Sequence, residues 1–145
     1  MKFLAALFIL FFLINTGLQA QVSPGDTTTN VEILKGTQRI RLSKLADGTE
    51  VQMLIGNVRL RQGTTLFYCD SCVINNQTKV FEAFGHVHIN DSDTAHVYAK
   101  YLRYLSDKRI AYLKDAVKLT DGKGTLTTNE LEYDVASRIG TYKNG

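Results

Sequence analysis

Apolar and polar residues alternate with a period of two along most of the chain beyond about residue 50. The clearest examples are Val58/Leu60, Val87/Ile89 and Val117/Leu119. Period two and an enrichment in β-branched residues are typical of strands that bury one face. Clusters of turn-forming residues, such as those at 62–65, 90–94 and 120–124, separate these segments. The pattern therefore predicts an all-β protein.

The same short motif returns three times at a nearly constant spacing. Its copies are Gly56-Asn-Val-Arg-Leu60, Gly85-His-Val-His-Ile89 and Asp115-Ala-Val-Lys-Leu119, and they begin 29 and 30 residues apart. Glycine and aspartate at the first position tolerate turn-like backbone angles. A structural unit of 29–30 residues is indicated, and the turns divide each unit into two strands. In the first copy these lie near residues 66–74 and 80–89.

A second pattern repeats in phase with the first. Its copies are Cys69-x-x-Cys72, Ala99-x-x-Leu102 and Thr128-x-x-Leu131, followed two residues later by Ile74, Tyr104 and Tyr133. A spacing of three puts side chains on opposite faces of a flat strand. We therefore expect bends, bulges or burial on both faces. Antiparallel strands stacked repeat upon repeat predict a β-jelly roll or a solenoid-like sandwich.

The chain begins with features of an export signal. Met1-Lys2 is followed by an apolar run of twelve residues, Phe3–Ile14, which is too short to span a membrane. Ala20 provides a small residue for cleavage. We predict a signal peptide over 1–20, a flexible polar lead-in over 21–30 and one β-repeat domain over 31–145. Without the signal the net charge is near +2, which does not favour a nucleic-acid partner.

Two cysteines and two histidines invite a chemical interpretation. Cys69 and Cys72 follow the spacing of the repeat itself, which favours core packing, although a disulfide stays open in an oxidising compartment. His86 and His88 share a predicted solvent-facing side without a carboxylate-rich shell, so no metal site is expected.

The stretches 91–94 and 121–124 are interpreted as equivalent hairpin turns. No catalytic constellation stands out, and we predict a non-enzymatic protein without cofactors.

At these motifs the chain resembles the OstA-like family, the periplasmic lipopolysaccharide-transport β-domains of the LptA type, in a version similar to those of Bacteroidetes. The resemblance rests on a Gly-x-Val-x-Leu strand alternating with an Ala-Asp-x-Leu-x-Tyr-type strand, over about residues 42–145. The Ala-Asp pair is intact in no copy, since Cys69-Asp70, Ala99-Lys100 and Thr128-Asn129 replace it. The last residues, Asn144-Gly145, resemble the start of a further repeat, so a fragment of a longer protein is expected.

The resemblance implies a periplasmic protein that binds lipopolysaccharide through its lipid A and helps carry it to the outer membrane. Acyl chains would lie in an apolar interior, and whether that interior is an open slot or a closed core stays open. The candidate lining residues are Val58, Leu60, Val87, Ile89, Leu102, Tyr104, Val117, Leu119, Leu131 and Tyr133. A structural or adhesive β-solenoid without a lipid ligand is the alternative, and a polysaccharide-active enzyme is disfavoured because no acidic cluster is evident.

A column of basic residues accompanies the repeat, namely Lys79, Arg109 and Arg138. Like charges on stacked strands repel one another unless solvent screens them or an anion binds them. A contact with lipid phosphates and a solvated edge are both open interpretations.

The ends of the repeat array are also informative. Residues 31–55 fit the repeat only in part and are expected to form a capping unit. Unpaired edge strands near residues 39–42 and 139–143 predict edge-to-edge pairing with other β-jelly-roll transport components. They also predict head-to-tail self-association.

Overall fold

The computed structural model describes residues 30–142, and all regular secondary structure in that part of the chain is β-strand. The all-β prediction is confirmed. The predicted signal peptide, nearly all of the lead-in and the incipient repeat at Asn144-Gly145 lie outside the described residues. Within the described range there is no helix that is long and apolar enough to cross a membrane.

The described part of the structure contains nine antiparallel strands. They are β1 Glu32–Ile33, β2 Arg39–Lys44, β3 Glu50–Gln62, β4 Thr65–Asn75, β5 Val80–Asp91, β6 Ala95–Leu105, β7 Ile110–Thr120, β8 Thr125–Asp134 and β9 Ile139–Tyr142. From β3 to β9 the strands follow one another in space as they do along the chain. The short strands β1 and β2 both pair with β3, opposite its two halves. The Gln38 backbone N–H between them donates to the Gly56 carbonyl at 3.0 Å. This interrupted pair forms the expected atypical first unit.

Every ladder between two long strands contains a β-bulge near its middle. The pairing register shifts between Ile55 and Val58 in β3, and equivalent shifts follow in each of the next four ladders. The first two residues of the repeated motif adopt positive φ at each bulge, as in Gly85 (74°) and His86 (44°). A Cβ atom at Gly85 would meet the carboxylate of Asp70, so glycine is required there for space as well as for conformation.

The aligned bulges bend each long strand and divide the sheet into two layers. In β4 the buried side chains are Phe67 and Cys69 before the bulge but Cys72 and Ile74 after it. The bulge therefore turns both sets toward the same interior. This explains the spacing of three between the cysteines, and the predicted bend is present.

The core lies between the two layers. Phe67, on one layer, packs edge-to-face on Phe81 with 5.3 Å between ring centroids, and it lies 4.7 Å from the Tyr104 ring; Phe81 and Tyr104 are on the other layer. Contacts of this kind join all the repeats into one continuous hydrophobic cluster. The repeats thus share a single apolar interior and do not form separate small cores.

Candidate functional site

The interior between the layers contains all the predicted lining residues. Nine of them are buried: Val58, Leu60, Val87, Ile89, Leu102, Tyr104, Val117, Leu131 and Tyr133. Leu119 is only partly buried and packs against the edge of the cluster. Cross-strand pairs such as Leu102 with Leu113 place side chains of successive repeats next to each other. Bending the strands at the bulges thus brings both sets of repeat columns into one space.

Within residues 30–142 the interior is left uncovered at the end formed by β7, β8 and β9, where β9 pairs with β8 over residues 131–134 only. An opening of about 470 Å³ there is lined by Leu119, Leu126, Tyr133 and Arg138, among others. Leu126 is half-buried like Leu119. Among the described residues, Leu119 and Leu126 continue the core at this end. Farther along the sheet, Leu54, Leu60 and Leu102 are completely buried.

Polar contacts join the two layers on the side away from the bulges. The Tyr104 hydroxyl donates to the Gln62 Oε1 atom at 2.5 Å, and the Gln62 Nε2 atom donates to the Ser106 carbonyl at 2.9 Å. One repeat later the Tyr133 hydroxyl donates to the Asp91 Oδ2 atom at 2.9 Å. These groups are buried and form hydrogen bonds, as buried polar groups must. They tie together strands that are far apart in the sequence.

The two tyrosines are strongly shifted toward their neutral forms. Burial raises the pKa of Tyr104 to about 12, and the nearby Arg109 opposes the shift. Burial, followed by the hydrogen bond to Asp91, raises the pKa of Tyr133 above the usual range. Both hydroxyls remain hydrogen-bond donors at neutral pH. Their role at this site is structural, since neither hydroxyl has a pKa near 7, as exchange of a proton at neutral pH would require.

The basic column lies in the hairpin turns that border the interior. Lys79, Arg109 and Arg138 all adopt left-handed backbone conformations, with φ of 57°, 56° and 60°. Successive turns are joined by hydrogen bonds such as that from the Ser106 N–H to the Lys79 carbonyl at 2.9 Å. Equivalent residues are two strands apart, which corresponds to about 10 Å. The three basic residues therefore also form a column in the structure. Their contact with phosphate stays a prediction.

The interpretation of residues 91–94 as a simple turn was wrong for Asp91. Its side chain is buried, accepts hydrogen bonds from Tyr133 and from the Thr65 hydroxyl, and lies 3.6 Å from the Arg138 Nε atom. Sequence reasoning also missed Gln62. A signal was available, because Gln62 and Asp91 are 29 residues apart, as are Tyr104 and Tyr133. The turn at 121–124 is as expected, since Asp121 accepts two backbone N–H groups.

Both cysteines are buried thiols that face the interior from either side of the β4 bulge. The adjacent Cys69 side chain, and after it burial, raises the pKa of the Cys72 thiol. A thiol held in its protonated form is a poor nucleophile and a poor metal ligand. The location agrees with the packing interpretation. Among the residues described, no group of three or more potential metal ligands occurs.

The histidines lie on the outer face, away from the interior. His88 stacks between Tyr68 and Tyr98, and its Nε2 atom lies 3.0 Å from the Nδ1 atom of His96. Burial, followed by the nearby His96, lowers the pKa of His88. His86 is separate from this stack and pairs with Asp70 at 2.7 Å. The two histidines of the repeated motif therefore do not meet.

A groove of about 570 Å³ runs along the outside of the bend, next to His86, Tyr98 and Lys100. These three side chains are exposed. The groove is larger than the opening at the β7–β9 end, and only two of its lining residues, Val87 and Ala99, belong to the buried core. It is thus distinct from the candidate site.

The fold and its apolar interior define a β-jelly roll built from bent antiparallel strands. The family model described as "OstA-like protein" matches residues 28–145, and the chain belongs to this family. The fold is similar to the crystal structure of LptH from Pseudomonas aeruginosa, described as the LptA homologous periplasmic component of the lipopolysaccharide transport device. The TM-score is 0.66 at 16% identity, over 84% of this chain and 87% of that chain. A search of curated proteins found no significant match.

Proposed function

We propose that this protein is a non-enzymatic periplasmic component that binds the acyl chains of lipopolysaccharide and helps transport it to the outer membrane. The observation that carries the proposal is the continuous apolar interior between the two layers. Membership of the OstA-like family and the similarity to LptH support it. An acyl chain would enter this interior by separating the two layers.

The physical basis of binding is the removal of hydrocarbon from water. Each buried CH₂ group is worth about 0.8 kcal/mol, so a chain of about a dozen carbons contributes roughly 10 kcal/mol before the costs of ordering and rearrangement. An apolar interior supplies this affinity without any catalytic group. A ligand without acyl chains would lose the term entirely.

We expect the purified domain to bind lipopolysaccharide but not the same saccharide after its acyl chains have been removed. Replacing Leu119 by glutamine should weaken binding about tenfold, because an amide would have to be desolvated at the opening. Lys118→Gln is the matched control, since Lys118 is exposed on the adjacent position of the same strand. Titration with a fluorescent lipopolysaccharide measures both. Equal binding of the deacylated saccharide would contradict the proposal and favour an adhesive protein.

The two end strands support a further part of the proposal, assembly with other jelly-roll domains or with itself. β2 pairs only with β3, and β9 pairs only with β8, within residues 30–142. On β2, Ile40 and Leu42 are 53% and 79% exposed. An unpaired strand edge with apolar side chains is suited to strand addition. Two unlike edges favour head-to-tail growth over closed dimers.

Residues 21–145 are therefore expected to associate with increasing concentration. Leu42→Lys should raise the dissociation constant about tenfold without changing the melting temperature, because Leu42 is exposed in the monomer and a charge opposes burial at the edge. Sedimentation velocity over a wide concentration range measures the effect. The control is Met53→Lys, on a strand that is already paired on both sides. A wild-type domain that stays monomeric throughout would contradict edge pairing.

A further inference from the structure

Two successive repeats place the same three kinds of side chain at the border of the interior. Tyr104 and Tyr133 each donate a hydrogen bond across the layers, to Gln62 and to Asp91 respectively. Arg109 and Arg138 follow the tyrosines by the same five residues. The two arginines therefore occupy equivalent turns beside equivalent cross-layer contacts. Only the chemistry of the acceptor, amide or carboxylate, differs.

Because of this difference, only one of the two arginines, Arg138, has a carboxylate within 4.0 Å among the described residues. The Asp91 carboxylate lies 3.6 Å from the Arg138 Nε atom, and its buried position makes Arg138 its counter-ion. At the other position Gln62 is neutral. No acidic oxygen of the described residues lies within 4.0 Å of the Arg109 guanidinium, and its Nε atom is buried without a hydrogen-bond partner. Asp134, the acid of the neighbouring turn, accepts the backbone N–H groups of Ala136 and Ser137 and interacts with the charge of Arg109 only at longer range.

A buried guanidinium N–H without an acceptor is costly. Arg109 as a whole is only partly buried, so an anion that approaches its side chain from solvent could form a charge-assisted hydrogen bond with the guanidinium group. The planar guanidinium group also matches the geometry of phosphate oxygens. Arg109 lies beside Tyr104, at the border between the apolar interior and solvent. An anion there would be attached to a molecule whose apolar part could enter the interior.

We propose that Arg109 binds the phosphate group of a phosphorylated lipid, whereas Arg138 is occupied by Asp91 and does not. The proposal rests on the proposed function, because it assumes that acyl chains enter the interior. Of the two arginines in the basic column, it assigns phosphate recognition to Arg109 and a structural role to Arg138. The ligand class is a lipid that carries a phosphate monoester close to its acyl chains.

The test compares a phosphorylated lipid A with its dephosphorylated form, by displacement of a fluorescent fatty acid from the folded domain at low ionic strength. The wild type should prefer the phosphorylated form about tenfold. Arg109→Gln should remove the preference and leave the affinity for the dephosphorylated lipid unchanged. Arg138→Gln should retain the preference, and Arg109→Lys should restore part of it.

A preference that survives Arg109→Gln, or that Arg138→Gln abolishes equally, would overturn the assignment. Titration with inorganic phosphate, followed through the Arg109 Nε–H resonance, separates a lipid headgroup from free phosphate. A shift with inorganic phosphate combined with equal affinity for the two lipids would assign the site to free phosphate and overturn the headgroup proposal. If the wild type binds neither lipid, the proposed function itself fails, which is distinct from every result that depends on Arg109.

Discussion

Replacing Phe67 by alanine is expected to lower the free energy of unfolding by about 3–5 kcal/mol. The Phe67 ring is buried between the layers, where it contacts Phe81 on one neighbouring strand and Tyr104 on a more distant one. Its loss removes a large apolar surface and leaves a cavity that the bent strands cannot easily fill, because hydrogen bonds fix the spacing on both sides. Chemical denaturation of the purified domain measures the change.

Phe84→Ala is the matched control for this experiment. Phe84 lies on the outer face of β5, is partly exposed and contacts Tyr101. The same substitution there should cost less than about 1 kcal/mol. Similar losses at the two positions would mean that the layers do not pack on each other as described.

Alkaline pH should destabilise the fold through its buried tyrosines. The pKa of Tyr104 is raised to about 12 by burial, whereas an unfolded tyrosine titrates near 10. The unfolded chain therefore loses its proton first. The stability that the neutral hydroxyl contributes is complete below about pH 10 and is lost as the pH rises to about 12, with a loss of about 3 kcal/mol. Tyr133, whose pKa is also raised, acts in the same direction.

Denaturation curves recorded between pH 9 and pH 12 test this expectation. Tyr104→Phe should be less stable than the wild type at pH 9, because the Gln62 carbonyl loses its donor. Its stability should nevertheless fall less steeply with pH. Tyr98→Phe, on the exposed outer face, should retain the steep dependence of the wild type. An equal slope in wild type and Tyr104→Phe would show that this hydroxyl is not the group responsible.

Much of the fold could be predicted from the sequence because each copy of the repeat has to meet the same conformational and packing requirements. Period-two alternation indicates strands, and the spacing of three between Cys69 and Cys72 indicates a bend. The first motif position required a residue that tolerates positive φ, which Gly85 and Asp115 provide. Three copies in phase make each of these signals stronger than it would be alone.

The site was harder to predict, because burial of a polar side chain depends on what lies across the interior. Asp91 precedes a turn and looks like a turn residue, yet its side chain faces inward to Tyr133, 42 residues away. The distinction between Arg109 and Arg138 depends on such cross-layer partners as well. Periodicity shows which residues face inward but not how far apart the two layers lie. The partial burial of Leu119 could therefore not be predicted from the sequence.

Site-specific photocrosslinking would detect acyl-chain binding between the two layers. A photoreactive residue at Leu102 would face the interior, and one at the neighbouring Arg103 would face outward from the same strand. We expect lipopolysaccharide to crosslink at position 102 and not at position 103, and a dodecyl-chain amphiphile to compete. Crosslinking at position 103 alone, or at neither position when lipopolysaccharide is bound, would contradict acyl-chain binding between the two layers.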